Sequence, residues 1–139
     1  VSGEVVLRRN GGADFEIARS TTTNTWAVKV KGTVIGSVAI GDNVHSCVVV
    51  TRDASNVVNV YGMADIPAGD ATSTLKLVPA ATGTASGTIA GALTIGDATN
   101  AIHGRVSAVA WWRAALSKRQ LLQLKRALVA DFAARGVAL

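Results

Sequence analysis

Ile102-His103-Gly104-Arg105-Val106-Ser107-Ala108-Val109-Ala110-Trp111-Trp112, then Ala115-Leu116-Ser117-Lys118-Arg119-Gln120-Leu121, is the stretch on which the fold turns. Its first half is a strand-sized run of small and apolar residues, and its second half carries the signals of a helix start. Ser117 is placed to cap the helix, and Gln120 three residues later closes a capping box. Leu116 and Leu121 occupy the N′ and N4 positions of a hydrophobic staple. This order predicts a sheet whose last strand, residues 105–112, leads into one helix over residues 117–135, ended by Gly136.

Upstream the pattern is all strand and turn. Residues 4–9 and 14–19 are short alternating segments joined by Asn10-Gly11-Gly12, a strong hairpin signal. In residues 26–31, Trp26, Val28 and Val30 fall on one face and Lys29 and Lys31 on the other, as in a half-buried strand. Gly32 turns the chain into residues 33–40. Residues 44–51 form a continuous apolar strand expected to be covered on both faces, with residues 57–61 as its hairpin partner. Residues 73–78 and 92–95 read as further strands, and the Ala/Thr/Gly/Ser tract of residues 79–91 as a mobile loop or weak edge strand. Strand-sized runs at intervals of about 10 residues predict an antiparallel sandwich. The fold class expected is therefore all-β, with one C-terminal α-helix, in a single domain of residues 1–139.

Composition agrees. The chain has 139 residues, enough for one core without staples, and is 49% hydrophobic, rich in Val and Ala, with 17% charged residues. Its net charge of +5 is unevenly placed: residues 105–135 hold seven Arg and Lys against Asp131 alone. A nucleic-acid reader adds exposed aromatics or a groove-entering helix to such a patch, so the expected partner is another protein chain and not nucleic acid. Apolar runs fall far short of the roughly 20 residues a membrane helix needs, and no membrane contact is expected. Cys47 is single and lies in an apolar run, which predicts a buried, inert thiol.

On the helix, Leu121, Leu124, Leu128 and Phe132 form one apolar stripe that should pack on the sheet. Leu122 and Val129 fall on a second, narrower stripe framed by Lys118, Arg119, Lys125 and Arg126. Either the basic stems cover it, or these six residues are a contact surface for an acidic partner.

Two segments together resemble the laminin-G-like, concanavalin A-like jelly roll. Asn43-Val44-His45-Ser46-Cys47-Val48-Val49-Val50-Thr51-Arg52-Asp53, followed by Val57-Val58-Asn59-Val60-Tyr61-Gly62, is similar to the family's "W-H-x-hydrophobic-x-hydrophobic-T-R-D" strand and its return "L-Y-V-D-G". Leu93-Thr94-Ile95-Gly96-Asp97, with His103-Gly104-Arg105-Val106 through Leu116-Ser117, resembles "L-x-I-G … F-x-G-x-I-D-x-V-R-I-Y-N-R-A-L-S". The resemblance covers about residues 14–125. Val44 stands where the family has Trp, and Gly62 and Met63 stand where it has the hairpin Asp. The family's opening strands, which pair beside the strand matching residues 105–112, are shortened or missing here. The resemblance thus implies a bare edge, to be covered by a partner or by residues outside this sequence.

Catalysis is not expected. Jelly-roll glucanases need two clustered carboxylates, and the only two glutamates, Glu4 and Glu16, lie early and without that spacing. His45 and His103 have no nucleophile pattern beside them and read as structural. The resemblance admits calcium through loop acids: Asp42 and Asp97 are the foremost candidates, with Asn43, Asp65, Asp70 and Asn100, but none forms a dense D-x-D-x-D pattern, so no cofactor is expected. Trp111 and Trp112 point to opposite faces of a strand. Either the helix covers the outward one, which is the expected arrangement, or the pair offers a stacking surface for a sugar.

The function expected is a non-catalytic structural or interaction module of a larger homo- or hetero-oligomeric assembly. A virion surface, as capsid decoration, fibre or tail, is the leading setting. The alternative is a carbohydrate-binding, lectin-like adhesion module at an extracellular surface, which the resemblance alone implies.

Overall fold

The computed structural model describes residues 4–19, 25–39, 45–67, 77–96 and 106–139. Strand β1 (Val5–Arg9) and β2 (Phe15–Arg19) form a hairpin through a single 3-10 turn at Asn10–Gly12. β2 pairs with β3 (Thr25–Val30), and β3 with β4 (Thr33–Ala39). The β3–β4 loop is only Lys31-Gly32, both at positive φ (49° and 76°), the backbone that a two-residue hairpin demands.

β8 (Leu93–Ile95) returns from far along the chain to pair with the outer edge of β1, giving a five-stranded sheet in the order β4-β3-β2-β1-β8. A second sheet holds β5 (Val48–Arg52), β6 (Val57–Gly62) and β7 (Ala81–Thr84), with β6 central. Every pairing in both sheets is antiparallel. The chain is thus mostly antiparallel sheet followed by one helix, α1 (Lys118–Ala134).

The sheets meet where β4 crosses β6 and β7. Gly36 faces Ala81 so closely that a Cβ at residue 36 would overlap the alanine methyl, and Ile35 lies against Gly83. Between the sheets sit Leu7, Phe15, Ile17, Val28, Val30, Ile35 and Val38 from one side, and Val58 and Val60 from the other. The two-residue period puts Val49 and Tyr61 on the opposite face of the small sheet, where they pack with Ile66 under Leu121 and Leu122 of α1. The small sheet is therefore a middle layer, with the large sheet on one side and the helix on the other.

The helix begins as its local signals require. Ser117 accepts from the Gln120 N–H at 3.4 Å, and Gln120 Oε1 accepts from the Ser117 N–H at 2.8 Å. Leu116 joins the cluster around Leu121, as the staple implies.

Three expectations need correction. Of the strand expected at 105–112, residue 105 lies outside the described residues, and residues 106–112 form no strand: they have no sheet neighbour among the described residues, and residues 107–112 are exposed. An apolar run becomes a strand only where a neighbour takes its main-chain hydrogen bonds, and the outer edge of β1 is already held by β8. β5 starts at Val48, so His45 to Cys47 precede it and residue 44 lies outside the described residues. The tract 79–91 follows the second of its two expected readings, for it contains the short edge strand β7, which pairs residue for residue with β6 and joins Thr82 Oγ1 to Asn59 Oδ1 at 2.8 Å. Of the strand expected at 73–78, residues 73–76 lie outside the described residues, and 77 and 78 are in no regular element.

Candidate functional site

The helix comes first, because six of its residues are the candidate contact surface. Leu122 is only 1% exposed and packs with Leu121 on the small sheet. Lys125 is half-buried, and its Nζ donates to the Met63 carbonyl at 3.0 Å and to the Ile66 carbonyl. The axis of the buried face thus runs between Leu121 and Leu122 and through Lys125. Lys118 is half-buried, while Arg119, Arg126 and Val129 are exposed. Of the six, Leu122 and Lys125 are taken up inside the chain, Arg119 and Arg126 are exposed away from the sheet, and Val129, on the stripe of Leu122 but two turns further on, is left exposed.

Lys125 has a structural duty that periodicity does not reveal. Met63 opens the 3-10 turn Met63–Asp65 and Ile66 follows it, so one ammonium group satisfies two carbonyls at that corner and ties it to the helix. Lys125→Met keeps the apolar stem and removes the donors. It should lower stability by about 1–2 kcal/mol in urea unfolding, since two partly buried carbonyls lose a charged donor.

Residues 106–116 are the second candidate region. Trp111 is 42% exposed and Trp112 47%, and neither packs in the cluster beneath the helix, so the expected covering of the outward one by α1 is corrected. Trp111 instead meets Phe15 of β2 edge to face, with ring centroids 5.4 Å apart, and the Arg9 guanidinium lies 4.8 Å from its ring centre. Arg9 is held in turn by the Gly91 carbonyl, at 2.8 Å from Nη2. Residues 106–116 therefore form a strap that touches the β1–β2 hairpin at its Arg9–Phe15 end, through Trp111. Beneath and beside it is a cavity of about 1810 Å³.

Asp14, next to Phe15, organises the same end of the hairpin. Its Oδ1 accepts from Lys31 Nζ at 2.6 Å and its Oδ2 from the Ala90 N–H at 2.7 Å, pinning the β3–β4 turn and the loop before β8 to β2. The Lys31 hydrogen bond, then that of Ala90, holds the carboxyl down to about 2 from 3.8. The folded state thus prefers the charged form. Its contribution to stability is complete above about pH 4 and disappears as pH falls towards 2. Asp14→Asn should flatten that part of the acid-unfolding curve, measured by urea titration at each pH, and lower stability at neutral pH.

Other candidate groups are spoken for. Glu16 pairs with Lys29 at 2.8 Å, and Glu4 lies 3.8 Å from Arg19. Asp65 Oδ2 accepts from the Gly62 N–H at 2.6 Å and so closes its own turn. His45 is exposed, its ring centroid 6.2 Å from that of Phe132. Cys47 is half-buried and burial pushes its thiol pKa up, which withholds the thiolate that reactivity needs. Asp42, Asn43, Asp70, Asp97, Asn100 and His103 lie outside the described residues. Among the described residues no group of three or more His, Cys, Asp or Glu is arranged to hold a metal ion, and no helix is long and apolar enough to cross a membrane. No family model, curated protein or solved structure matches the chain, and its function must be argued from its own residues.

Proposed function

We propose that this chain is a non-catalytic interaction module of a larger assembly, built as a laminin-G-like jelly roll, with a virion surface as its setting. One observation carries the reading: Val109, Trp111 and Trp112, three large apolar side chains on a strap that pairs with no strand among the described residues, are left in contact with water. Isolated exposed apolar residues are ordinary, but two tryptophans and a valine on one short segment are the mark of a contact surface. The exposed Arg119, Arg126 and Val129 of α1 add a basic surface suited to an acidic protein neighbour. Trp111, with its ring already engaged by Phe15 and Arg9, has less face to offer a sugar than a free tryptophan would, which favours a protein partner over a glycan.

The test is site-specific photocrosslinking from positions 112 and 126 in the native source. Crosslinks to a distinct polypeptide, reduced by Trp112→Ala, support the module. A chain that crosslinks to nothing, and binds an immobilised glycan through Trp112 instead, is a lectin and not an assembly part.

A further inference from the structure

We propose that Asn10 is a site of spontaneous deamidation, and that the isoaspartate formed there unfastens residues 90 and 91 and, through Arg9, the cation over Trp111. The inference goes beyond the interaction reading and holds whatever partner the strap meets.

The chemistry starts from one dipeptide. Asparagine is a thermolabile residue, because the main-chain nitrogen that follows it can attack the side-chain carbonyl carbon. The new N–Cγ bond closes a five-membered succinimide and the Cγ–Nδ2 bond breaks. Nδ2 leaves as ammonia, taking the proton of the attacking N–H. Water then opens the ring. Addition at Cγ gives aspartate. Addition at the main-chain carbonyl gives isoaspartate, whose chain runs on through Cβ and Cγ and whose α-carboxylate is free. Ring closure needs the following peptide to swing, which glycine permits and a β-branched residue resists.

The chain has six asparagines, and Asn10 alone is followed by glycine; the others precede Thr25, Val44, Val57, Val60 and Ala101. Asn10 and Gly11 are both exposed. They sit in the left-handed region, at φ 50° and 61°, and a Cβ built on Gly11 would meet no atom within 4 Å, so the peptide between them has open space to turn. Asn56 is an internal control. It shares the left-handed backbone, at φ 64°, but its neighbour is Val57, whose N–H already donates to Asp53 Oδ1 at 2.9 Å.

The surroundings of Asn10 give the reaction its consequence. The Asn10 amide donates to the Asp14 carboxylate, which also accepts from Lys31 Nζ and the Ala90 N–H. A carboxylate at position 10 removes that donor and sets a like charge against Asp14. Gly91 lies so close that a Cβ there would come within 3.0 Å of the Asn10 Cβ and 3.1 Å of its Cα. The extra main-chain carbon of isoaspartate has to be accommodated at this contact. The Gly91 carbonyl in turn accepts from Arg9 Nε at 3.2 Å and Nη2 at 2.8 Å, and that guanidinium lies 4.8 Å from the Trp111 ring centre. Displacing residues 90 and 91 therefore withdraws the support of Arg9, and with it the cation over the Trp111 ring.

The test ages the whole chain for weeks at physiological temperature in mildly alkaline buffer. Beside it stands Asn10→Gln, which keeps an amide but would have to close a six-membered ring. Peptide mapping by mass spectrometry reads the conversion of amide to acid, and methylation by an isoaspartyl methyltransferase identifies the rearranged product. Asn10 should convert about tenfold faster than Asn56 or Asn59, whose β-branched neighbours hinder the ring. In the isoaspartate form, separated by ion exchange, hydrogen exchange of the Ala90 amide should quicken several-fold and the indole NMR signal of Trp111 should shift. Asn10→Gln should show neither conversion nor drift of those signals over the same time. The proposal is overturned if Asn56 or Asn59 converts as fast as Asn10, or if Asn10→Gln ages in the same way. It is also overturned if isoaspartate at position 10 leaves Ala90 exchange and the Trp111 signal as they were. None of these readouts involves a partner, so the interaction reading stands or falls by its own crosslinks.

Discussion

Leu122→Ala lowers the unfolding free energy by about 2–5 kcal/mol, the range for removing a buried leucine side chain, while Val129→Ala shifts it by less than about 0.5 kcal/mol, as exposed sites do. Both residues belong to the same stripe by helical arithmetic, so the pair isolates what the fold does to that stripe. Leu122 packs with Leu121 in one cluster with Val49, Tyr61 and Ile66. Truncating it leaves a void that the sheet cannot collapse to fill. Val129, seven residues further on, lies near the open end of the molecule and is 39% exposed. Urea unfolding of the two variants beside the parent chain decides the matter. Equal small effects would mean that Leu122 faces solvent and that the helix lies on the sheet by a different face.

Gly36→Leu costs about 3 kcal/mol, the upper part of the range for overpacking. The reason is local: a Cβ at residue 36 already overlaps the Ala81 methyl, and both residues belong to paired strands that cannot step aside singly. The two sheets would have to separate along the whole β4–β7 crossing, loosening the fully buried Val58 and Val60 beneath. Ala81→Gly should return a large part of the loss in Gly36→Ala, with a coupling of at least about 1 kcal/mol in a double-mutant cycle. Additive effects would show that the two sheets are held apart by some other contact.

What the residues announce locally, the chain does locally. Ser117 and Gln120 cap a helix in any surroundings, because their hydrogen bonds close within one turn. Asn10-Gly11-Gly12 and Gly32 turn the chain because Asn and Gly tolerate positive φ, and Lys31 is held there by Asp14, which takes both its N–H and its ammonium. The strands from β1 to β4 follow from these turns and from alternation. The rotation of α1 about its own axis was not legible. Four residues, Leu121, Leu124, Leu128 and Phe132, define the strongest apolar stripe, but the surface under them is only three strands wide. The helix therefore settles on its first turns, brings in Leu122, and turns Lys125 inward to the carbonyls of Met63 and Ile66. Those carbonyls lie some 60 residues upstream in sequence, beyond any pattern within the helix.

The 106–112 segment teaches the complementary lesson. Its residues have strand character, and nothing in Val106 to Trp112 states whether a neighbour will be present. The sequence likewise marks Trp111 and Trp112 as an adjacent pair without saying that one would stack on Phe15. The candidate surface was therefore legible as residues and not as a shape. Asp14 was missed for the same reason: one aspartate after a turn has no local signature, and its two partners, Lys31 and Ala90, come from separate loops.

The pairing of β1 with β8 carries a consequence for how the molecule assembles. β1 to β4 form a run of neighbouring hairpins, each closing a short loop, whereas the Leu7–Ile95 pair joins positions at opposite ends of the sheet-forming chain. Closing that long loop is entropically slow and is rewarded by only three residues of ladder. The four-stranded meander should accordingly form early in refolding and β8 arrive late, so that for a time the nascent chain carries its most adhesive border uncovered, and dilution or a chaperone would govern its yield.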